Sequence, residues 1–316
     1  MRAIAIPEVG GTPALVDLPV PSPGPGEVLV RLATASLNPI DTDIASGRMH
    51  QLPTTSPLIL GTDGAGRVVA VGESVTGFAV GDLVHGQFLD VPVGRGTYAE
   101  YAVIAEAPSH GALQRTPDGV TADVAAALPT AGMTGLGIIE ALGLGPGRTL
   151  LITGATGGVG VFAVQFAAAR GAEVIVTARP DADARIRGLG ASQTIDYTRD
   201  DVAEVVRKSH PDGIHAFLDL TRDAPRFSEY AALVRDGGAA ASATFTAPAE
   251  LLASERIAVT NFMMADKPGL LARITEEVRS GRITVPIGRT ITLDQVPESL
   301  GQNTGGGARG KTVVRI

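Results

Sequence analysis

A turn of seven residues, Gly154-Ala155-Thr156-Gly157-Gly158-Val159-Gly160, has the spacing in this sequence that points most directly to chemistry. It follows the apolar run Leu150-Leu-Ile-Thr153 and opens an amphipathic stretch that reads as a helix. Glycines so placed allow a tight turn, let the backbone approach a pyrophosphate, and let the helix pack on the strand. Unpaired N–H groups at the helix start, helped by the helix dipole, attract the anion. The spacing departs from G-x-G-x-x-G, and a glycine turn can also simply join strand to helix. The strand–turn–helix setting favours a dinucleotide site.

The next strand, Glu173 to Thr177, selects among dinucleotides. NAD sites usually end this strand with an acidic residue that binds the ribose hydroxyls. Here Ala178-Arg179 follows. A guanidinium attracts a 2′-phosphate and can pair with it in bidentate fashion, where a carboxylate repels it. Arg179 therefore points to NADPH. The alternative is a solvated Arg179, with Asp181 or Asp183 on the ribose.

Other chemistries are excluded by composition. The 316 residues include no cysteine, which removes disulfides, thiol nucleophiles and thiolate-bound zinc. Five histidines, His50, His85, His110, His210 and His215, show no metal-ligand spacing, so no metal site is expected. A formal net charge of −7 disfavours nucleic acid as a partner. No stretch is long and apolar enough to span a bilayer, and the opening Met1-Arg-Ala-Ile-Ala-Ile-Pro is too short for a signal peptide. A cytoplasmic protein with no membrane partner is the expectation.

The elements that must position these residues fall into two styles. The first third has short β-branched runs, Val28 to Leu32, Arg67 to Val71, Leu83 to His85 and Tyr101 to Ile104, separated by Gly and Pro clusters. That spacing predicts a compact antiparallel or barrel-like domain. Helices are predicted over Thr121 to Leu128, with Thr121 as N-cap, and over Met133 to Leu142. Strand and helix then alternate: strands at Thr149 to Thr153, Glu173 to Thr177, Gln193 to Ile195, Ala216 to Leu220 and Ala239 to Ala243, helices at Gly158 to Arg170 and Ala182 to Leu189. Such alternation predicts a parallel sheet covered by helices. A helix over Pro268 to Ser280 precedes short strands ending at Lys311 to Ile316, and Gly305-Gly-Gly307 reads as a flexible loop. The tail returns to the style of the first third. The α/β domain, residues 121–264, is thus read as inserted in a mostly-β domain of residues 1–120 and 265–316.

With these residues in view, the whole chain resembles the zinc-free quinone oxidoreductase branch of the medium-chain dehydrogenase/reductase superfamily. Asn38-Pro39-Ile40-Asp41 looks like its N-P-x-D segment. Gly61-Thr-Asp-Gly-Ala-Gly66 stands where the zinc alcohol dehydrogenases carry G-H-E, with the His and the Glu absent. Gly81-Asp82, Gly96-Thr-Tyr-Ala-Glu-Tyr101, Ala131-Gly-Met-Thr134-Gly and Gly310-Lys311 resemble further family stretches. The resemblance implies an α/β fold: a Rossmann doubly wound parallel sheet inserted in a GroES-like mostly-β catalytic domain, with a cleft between. It implies that Thr134 lies near the nicotinamide and that Tyr197 packs beside the adenosine phosphate. It also implies a homodimer through Rossmann edge strands, for which Arg256 to Met264 is the candidate. The branch commonly carries a tyrosine two residues after the N-P-x-D aspartate. This chain has Asp43, an acceptor only when ionised, which casts doubt on a simple planar quinone as substrate.

Without a metal, catalysis rests on positioning and hydrogen bonds, the cofactor supplying the hydride. The expected acceptor is a conjugated carbonyl such as a quinone, with an enoyl or alkenal (2-ene) reductase as the alternative. A non-catalytic NADPH-binding sensor or scaffold remains a third reading. The developing oxyanion needs a donor, for which Asn38, Thr134, the cofactor ribose and water are candidates. Asp41 or Asp43 could orient Asn38, or act as an acid if burial raises its pKa. Asn38 could equally be a turn cap. Tyr98, Tyr101 and His85 read as packing or structural residues. Phe245 and Phe262-Met263-Met264 read as pocket lining or core, and Phe245 is counted with the cofactor-binding candidates.

Overall fold

The structure, a computed structural model, describes residues 1–49, 52–264, 267–302 and 309–316. His50 and the Gly305–Gly307 loop lie outside the described residues. Two compact units are present, Met1–Met133 with Asp266–Ile316, and Thr134–Ala265. No helix among the described residues is long and apolar enough to cross a membrane.

The first unit begins with β1 (Arg2–Ile6), β2 (Ala14–Asp17), β3 (Glu27–Ser36), α1 (Pro39–Ala45), β4 (Thr54–Ile59), β5 (Asp63–Val71), β6 (Leu83–Gln87), β7 (Val93–Arg95), β8 (Tyr101–Ala105), β9 (Ala112–Arg115) and α2 (Ala122–Ala127). The helix α3 (Pro129–Ala141) runs through the point where the chain passes to the second unit. That unit holds β10 (Thr149–Thr153), α4 (Gly158–Ala169), β11 (Glu173–Thr177), α5 (Asp183–Gly188), β12 (Gln193–Ile195), α6 (Val202–Ser209), β13 (Ile214–Asp219), α7 (Ala224–Ala231), β14 (Val234–Ser242), α8 (Ala249–Leu252) and β15 (Ala258–Asn261). The tail adds α9 (Lys267–Arg279), β16 (Ile287–Thr292), α10 (Val296–Gln302) and β17 (Lys311–Arg315).

In the first unit β3 is the spine. Its Val28, Val30 and Leu32 point into a core with Val68, Val84 and Ile104. One edge pairs with β5; the other is shared, β8 along Glu27–Arg31 and β17 along Thr34–Ser36. The pairing of β17 brings the tail back to the first third, as its sequence style implies. A second sheet has the order β2-β1-β4-β7. Thr121 caps α2, its hydroxyl accepting from the Val124 N–H at 3.4 Å. The helix sets Ala125 and Ala126 against Ala65 of β5. This packing places α2 in the first unit, so the division falls after Met133 and not at residue 120.

The second unit is a parallel sheet in the order β12-β11-β10-β13-β14-β15, the doubly wound arrangement with its switch point between β10 and β13. Every residue of β10 is buried, as a strand covered on both faces must be. Helices α3 and α4 approach closely: a Cβ on Gly135 would stand 2.9 Å from the Cβ of Phe162. Several element boundaries differ from expectation: α3 begins at Pro129 and not Met133, and β14 at Val234 and not Ala239. The helix expected over Ala182 to Leu189 is α5, preceded by a 3-10 turn over Pro180–Ala182. Of the strand expected over Arg256 to Met264 only Ala258–Asn261 pairs, at the sheet edge.

His85 is structural. Its ring nitrogens meet Thr116 Oγ1 and Thr275 Oγ1, each at 3.0 Å. Burial holds its pKa down to about 4.

Candidate active site

The N-P-x-D segment closes β3 and starts α1. Pro39 takes the first helical position, where its missing N–H costs nothing, and Asn38 is the N-cap. The Asp41 carboxylate reaches back to the Asn38 N–H at 2.8 Å. Asn38 is only 3% exposed, and its amide is committed at both ends. Nδ2 donates to Asp63 Oδ2 at 2.9 Å and to Thr62 Oγ1 at 3.3 Å. Oδ1 accepts from Lys311 Nζ at 2.6 Å. The Lys311 ammonium also donates to the Leu37 carbonyl at 3.1 Å and stands 4.0 Å from Asp63.

Asp63 is the second hub. It accepts from the Thr130 hydroxyl at 2.7 Å and from the Thr130 N–H at 3.1 and 3.2 Å, so it caps the first turn of α3. Gln87 Nε2 donates to the same hydroxyl at 2.7 Å. On the other side of Asn38, the Tyr98 hydroxyl donates to Asp41 Oδ2 at 2.5 Å. The aromatic expected to be mere packing is therefore a partner of the candidate acid.

Two carboxyl groups and one ammonium share this buried site. Desolvation pushes Asp41 up from its usual value to about 7, against the hydrogen bonds from Tyr98 and Asn38, and the neighbouring charge of Asp63 adds to the rise. Desolvation also raises Asp63, offset by Lys311, and lowers Lys311, offset by Asp63 and Asp41. The Tyr98 phenol is pushed well up, by burial first and then by Asp41. A group balanced near neutrality can hold or release a proton at working pH. A cavity of about 10 Å³ beside Asp41 and Thr62 matches one water molecule.

The sequence candidates divide here. Asn38 and Asp41 lie at the heart of the network. Asp43 does not: half-buried on α1, it pairs with Arg48 at 2.5 Å. Thr134 belongs to the second unit, half-buried on α3 one helical turn beyond Thr130. Asn38, expected as a donor to an oxyanion, has no N–H to spare in this arrangement and acts as a linchpin. Thr62, Asp63, Gln87, Thr130 and Lys311 went unrecognised as site residues. The signal for two of them was available: an acid in the glycine-rich Gly61-Thr-Asp-Gly stretch and a lysine opening an apolar strand.

The glycine turn has the local geometry of an anion cradle. Gly154 has φ +73°, a conformation that glycine adopts readily. A Cβ on Gly160 would lie 2.5 Å from the Ala155 backbone, so only glycine lets α4 start there. The N-cap of α4 is Gly157, and no side chain caps this end. The first-turn N–H groups of Gly158, Val159 and Gly160 are thus left for an anion. Ala155 and Thr156 complete the turn between strand and helix. Beyond the strand ends, β11 and β12 pair in parallel with Thr177 opposite Ile195. Two residues further on, that register puts Arg179 beside Tyr197, with Nε 3.2 Å from the phenol oxygen. Both are exposed. Of the alternative ribose ligands, Asp183 is paired with Arg187 at 2.9 Å. Phe245 follows β14, 60% exposed.

Two family models match this chain. Residues 24–113 match the family described as alcohol dehydrogenase GroES-like domain, and residues 158–267 the family described as zinc-binding dehydrogenase. A chloroplastic quinone oxidoreductase of Triphysaria versicolor is 32% identical, over 99% of this chain and 98% of its own. The quinone oxidoreductase of Coxiella burnetii superposes with a TM-score of 0.87 at 26% identity, covering 100% of this chain and 99% of that one. A mycobacterial protein solved with NADPH gives 0.86 at 26% identity, covering both chains completely.

Proposed function

This chain belongs to the quinone oxidoreductase branch of the medium-chain dehydrogenase/reductase superfamily and is an NAD(P)H-dependent oxidoreductase; from that premise we propose that it reduces a conjugated carbonyl, a quinone first, with hydride from NADPH and without zinc. The observation that carries the cofactor choice is the pairing of Arg179 with Tyr197 beyond the ends of β11 and β12. A guanidinium and a phenol side by side fit a 2′-phosphate, and no carboxylate takes the strand-end position that would bind both ribose hydroxyls.

Absence of zinc is argued from the donor set. Where the zinc enzymes carry His and Glu, this chain places Thr62 and Asp63. Zinc is held by thiolate, imidazole or carboxylate ligands, usually three or more together; here Asn38 and Thr62 offer a neutral amide and a hydroxyl, and the described residues gather no such group of three. The Lys311 ammonium, 2.6 Å from Asn38, already supplies positive charge and repels a second cation. Metal analysis of purified protein should give far less than one zinc per chain; one per chain sinks this part of the proposal.

Bound NADPH would supply the hydride. The turn from Gly154 to Gly160 holds its pyrophosphate, Arg179 and Tyr197 its 2′-phosphate, and Thr134 and Phe245 its nicotinamide end. In the first unit Asn38 fixes the geometry of the polar network, and Asp41 holds a proton within it. A second acceptor class, 2-enals and 2-enoyl thioesters, is favoured by Asp43, which stands paired with Arg48 where the branch commonly carries a tyrosine. Initial rates of NADPH and NADH oxidation with 1,4-benzoquinones, 2-alkenals and 2-enoyl thioesters test the reading. Turnover with quinones and a strong NADPH preference are expected. NADPH binding with no turnover of any acceptor would instead mark a sensor or scaffold.

The same reading includes a homodimer along β15. Among the described residues this strand ends the sheet with one edge unpaired, and Met263 beside it is 76% exposed. Such an edge invites a second strand. Sedimentation at micromolar concentration should show a dimer, and a monomer throughout rejects the assignment.

A further inference from the structure

One buried carboxylate of the second unit takes no part in the reading above. Asp219 ends β13 and is 1% exposed. It accepts from Thr153 Oγ1 at 2.7 Å, from the Thr221 N–H at 3.1 Å and from Thr221 Oγ1 at 2.6 Å. It also accepts from Thr246 Oγ1 at 2.8 Å; Thr244 Oγ1 stands 3.4 Å away and donates chiefly to the Thr221 carbonyl beside it. These donors come from the end of β10, the turn after β13 and the turn after β14. A single side chain thus ties together the carboxyl ends of three adjacent strands at the switch point, where doubly wound folds bind ligands. The tie also abuts the glycine turn: a Cβ on Gly154 would come within 3.1 Å of the Leu220 carbonyl.

Phe245 stands between two of those threonines. Its φ is +60°, and the only other described non-glycine residue with positive φ is Ser74. A bulky side chain in the left-handed region is strained, and here the ring is largely exposed, so packing does not offset the strain. The hydrogen bonds of Thr244 and Thr246 hold it in place. Ser242 Oγ adds to the grip, accepting from the Thr244 and Thr246 N–H groups at 3.1 Å each.

We propose that Asp219 is a positioning residue which, through Thr244 and Thr246, holds Phe245 in its left-handed conformation so that the ring faces the nicotinamide half of the dinucleotide. The inference rests on the NADPH reading of the second unit. Strand order supports the placement. Arg179 and Tyr197 follow strands on one side of β10, and Phe245 follows a strand on the other. A dinucleotide centred on the glycine turn with its 2′-phosphate at Arg179 reaches Phe245 with its nicotinamide half.

The test uses full-length protein carrying Phe245→Gly, Phe245→Ala, Asp219→Asn, or Asp219→Asn with Phe245→Gly. Thermal midpoints are measured, along with dissociation constants for NADPH and for 2′,5′-ADP, which lacks the nicotinamide half. Phe245→Gly should be at least as stable as the parent and more stable than Phe245→Ala, since glycine adopts this φ freely. It should nevertheless bind NADPH about tenfold more weakly, with 2′,5′-ADP unchanged. Asp219→Asn should weaken NADPH alone, and the double variant should be no weaker than Phe245→Gly, because the carboxylate acts through the ring. Unchanged NADPH binding in Phe245→Gly overturns the proposal, as do additive losses in the double variant. If the parent binds neither NADPH nor 2′,5′-ADP, the underlying cofactor reading has failed instead.

Discussion

Single residues carry both the proposed cofactor choice and the buried polar network of the first unit. Arg179 and Tyr197 are far apart in sequence, yet each could be picked out, because strand ends in an alternating fold are predictable positions. Their contact at 3.2 Å depends on the β11–β12 register. If Arg179 meets a 2′-phosphate, Arg179→Ala should raise the Michaelis constant for NADPH about 10- to 100-fold, the range for a lost charged hydrogen bond. The constant for NADH should hardly move, and equal changes for both would reject the assignment. Lys311 is a different case. Its ammonium is 2% exposed and bonded to Asn38 and Leu37. Lys311→Met leaves two buried carboxyl groups and an amide oxygen without their cation. Urea denaturation should show a loss of about 3–5 kcal/mol, and a loss below about 1 kcal/mol would mean that the network tolerates its absence. From sequence, Asn38 could be singled out but not its role, since its amide's side-chain partners come from segments 24 to 273 residues away.

Among the elements, the strand–turn–helix around Gly154 to Gly160 separates a glycine that packing requires from one that packing leaves free. A Cβ at Gly160 would press on the Ala155 backbone at 2.5 Å, whereas one at Gly157 would meet only the Gly154 carbonyl oxygen, at an ordinary 3.4 Å. Gly157 has φ −77°, open to any residue. Gly160→Ala should therefore lower the melting temperature, and NADPH binding with it. Gly157→Ala should melt like the parent but bind NADPH more weakly, its methyl intruding where the phosphates approach. Thermal melts and fluorescence titration of both variants decide, and two equally destabilised proteins would contradict the distinction. The periodic strands β10, β11 and β12 were legible to the residue. The β15 edge was overextended, because apolar content alone does not show where a ladder ends. Helix α2 was placed in the wrong unit for a related reason: an alanine-rich helix shows a face, but not which sheet receives it.

For the molecule as a whole, two buried titrating groups oppose each other across the same pH range. Asp41 is raised from 3.8 to about 7. As pH rises from about 4 to about 7 the unfolded chain ionises there and the folded one does not, so stability falls, by up to about 4 kcal/mol. His85 is lowered from 6.5 to about 4. As pH falls through that interval the unfolded chain gains a proton that the folded one refuses, so stability falls the other way, by about 3 kcal/mol. The groups facing Asp41 are Asp63, Lys311 and Tyr98; among the described residues the ring nitrogens of His85 meet the Thr116 and Thr275 hydroxyls. Relative to the parent, His85→Gln should gain stability on acidification from about pH 7 to about pH 4.5, and Asp41→Asn should lose it. Urea midpoints at both pH values provide the check, and parallel profiles for the two variants would refute the opposition.

By itself the sequence determined the α/β alternation, the glycine turn, the arginine after β11 and the return of the tail to the first third. These are local or periodic properties, and hydrophobic period, turn chemistry and strand-end position are written along the chain. Tertiary structure alone decided that Asn38 has no donor to spare, that Lys311 and Asp63 flank it, and that Asp43 pairs with Arg48. It likewise decided that Asp219 joins three strand ends around a strained Phe245. Each of these depends on a buried polar group finding partners from distant segments. Burial makes an unpaired group costly, and only the packed fold determines which partner is within reach.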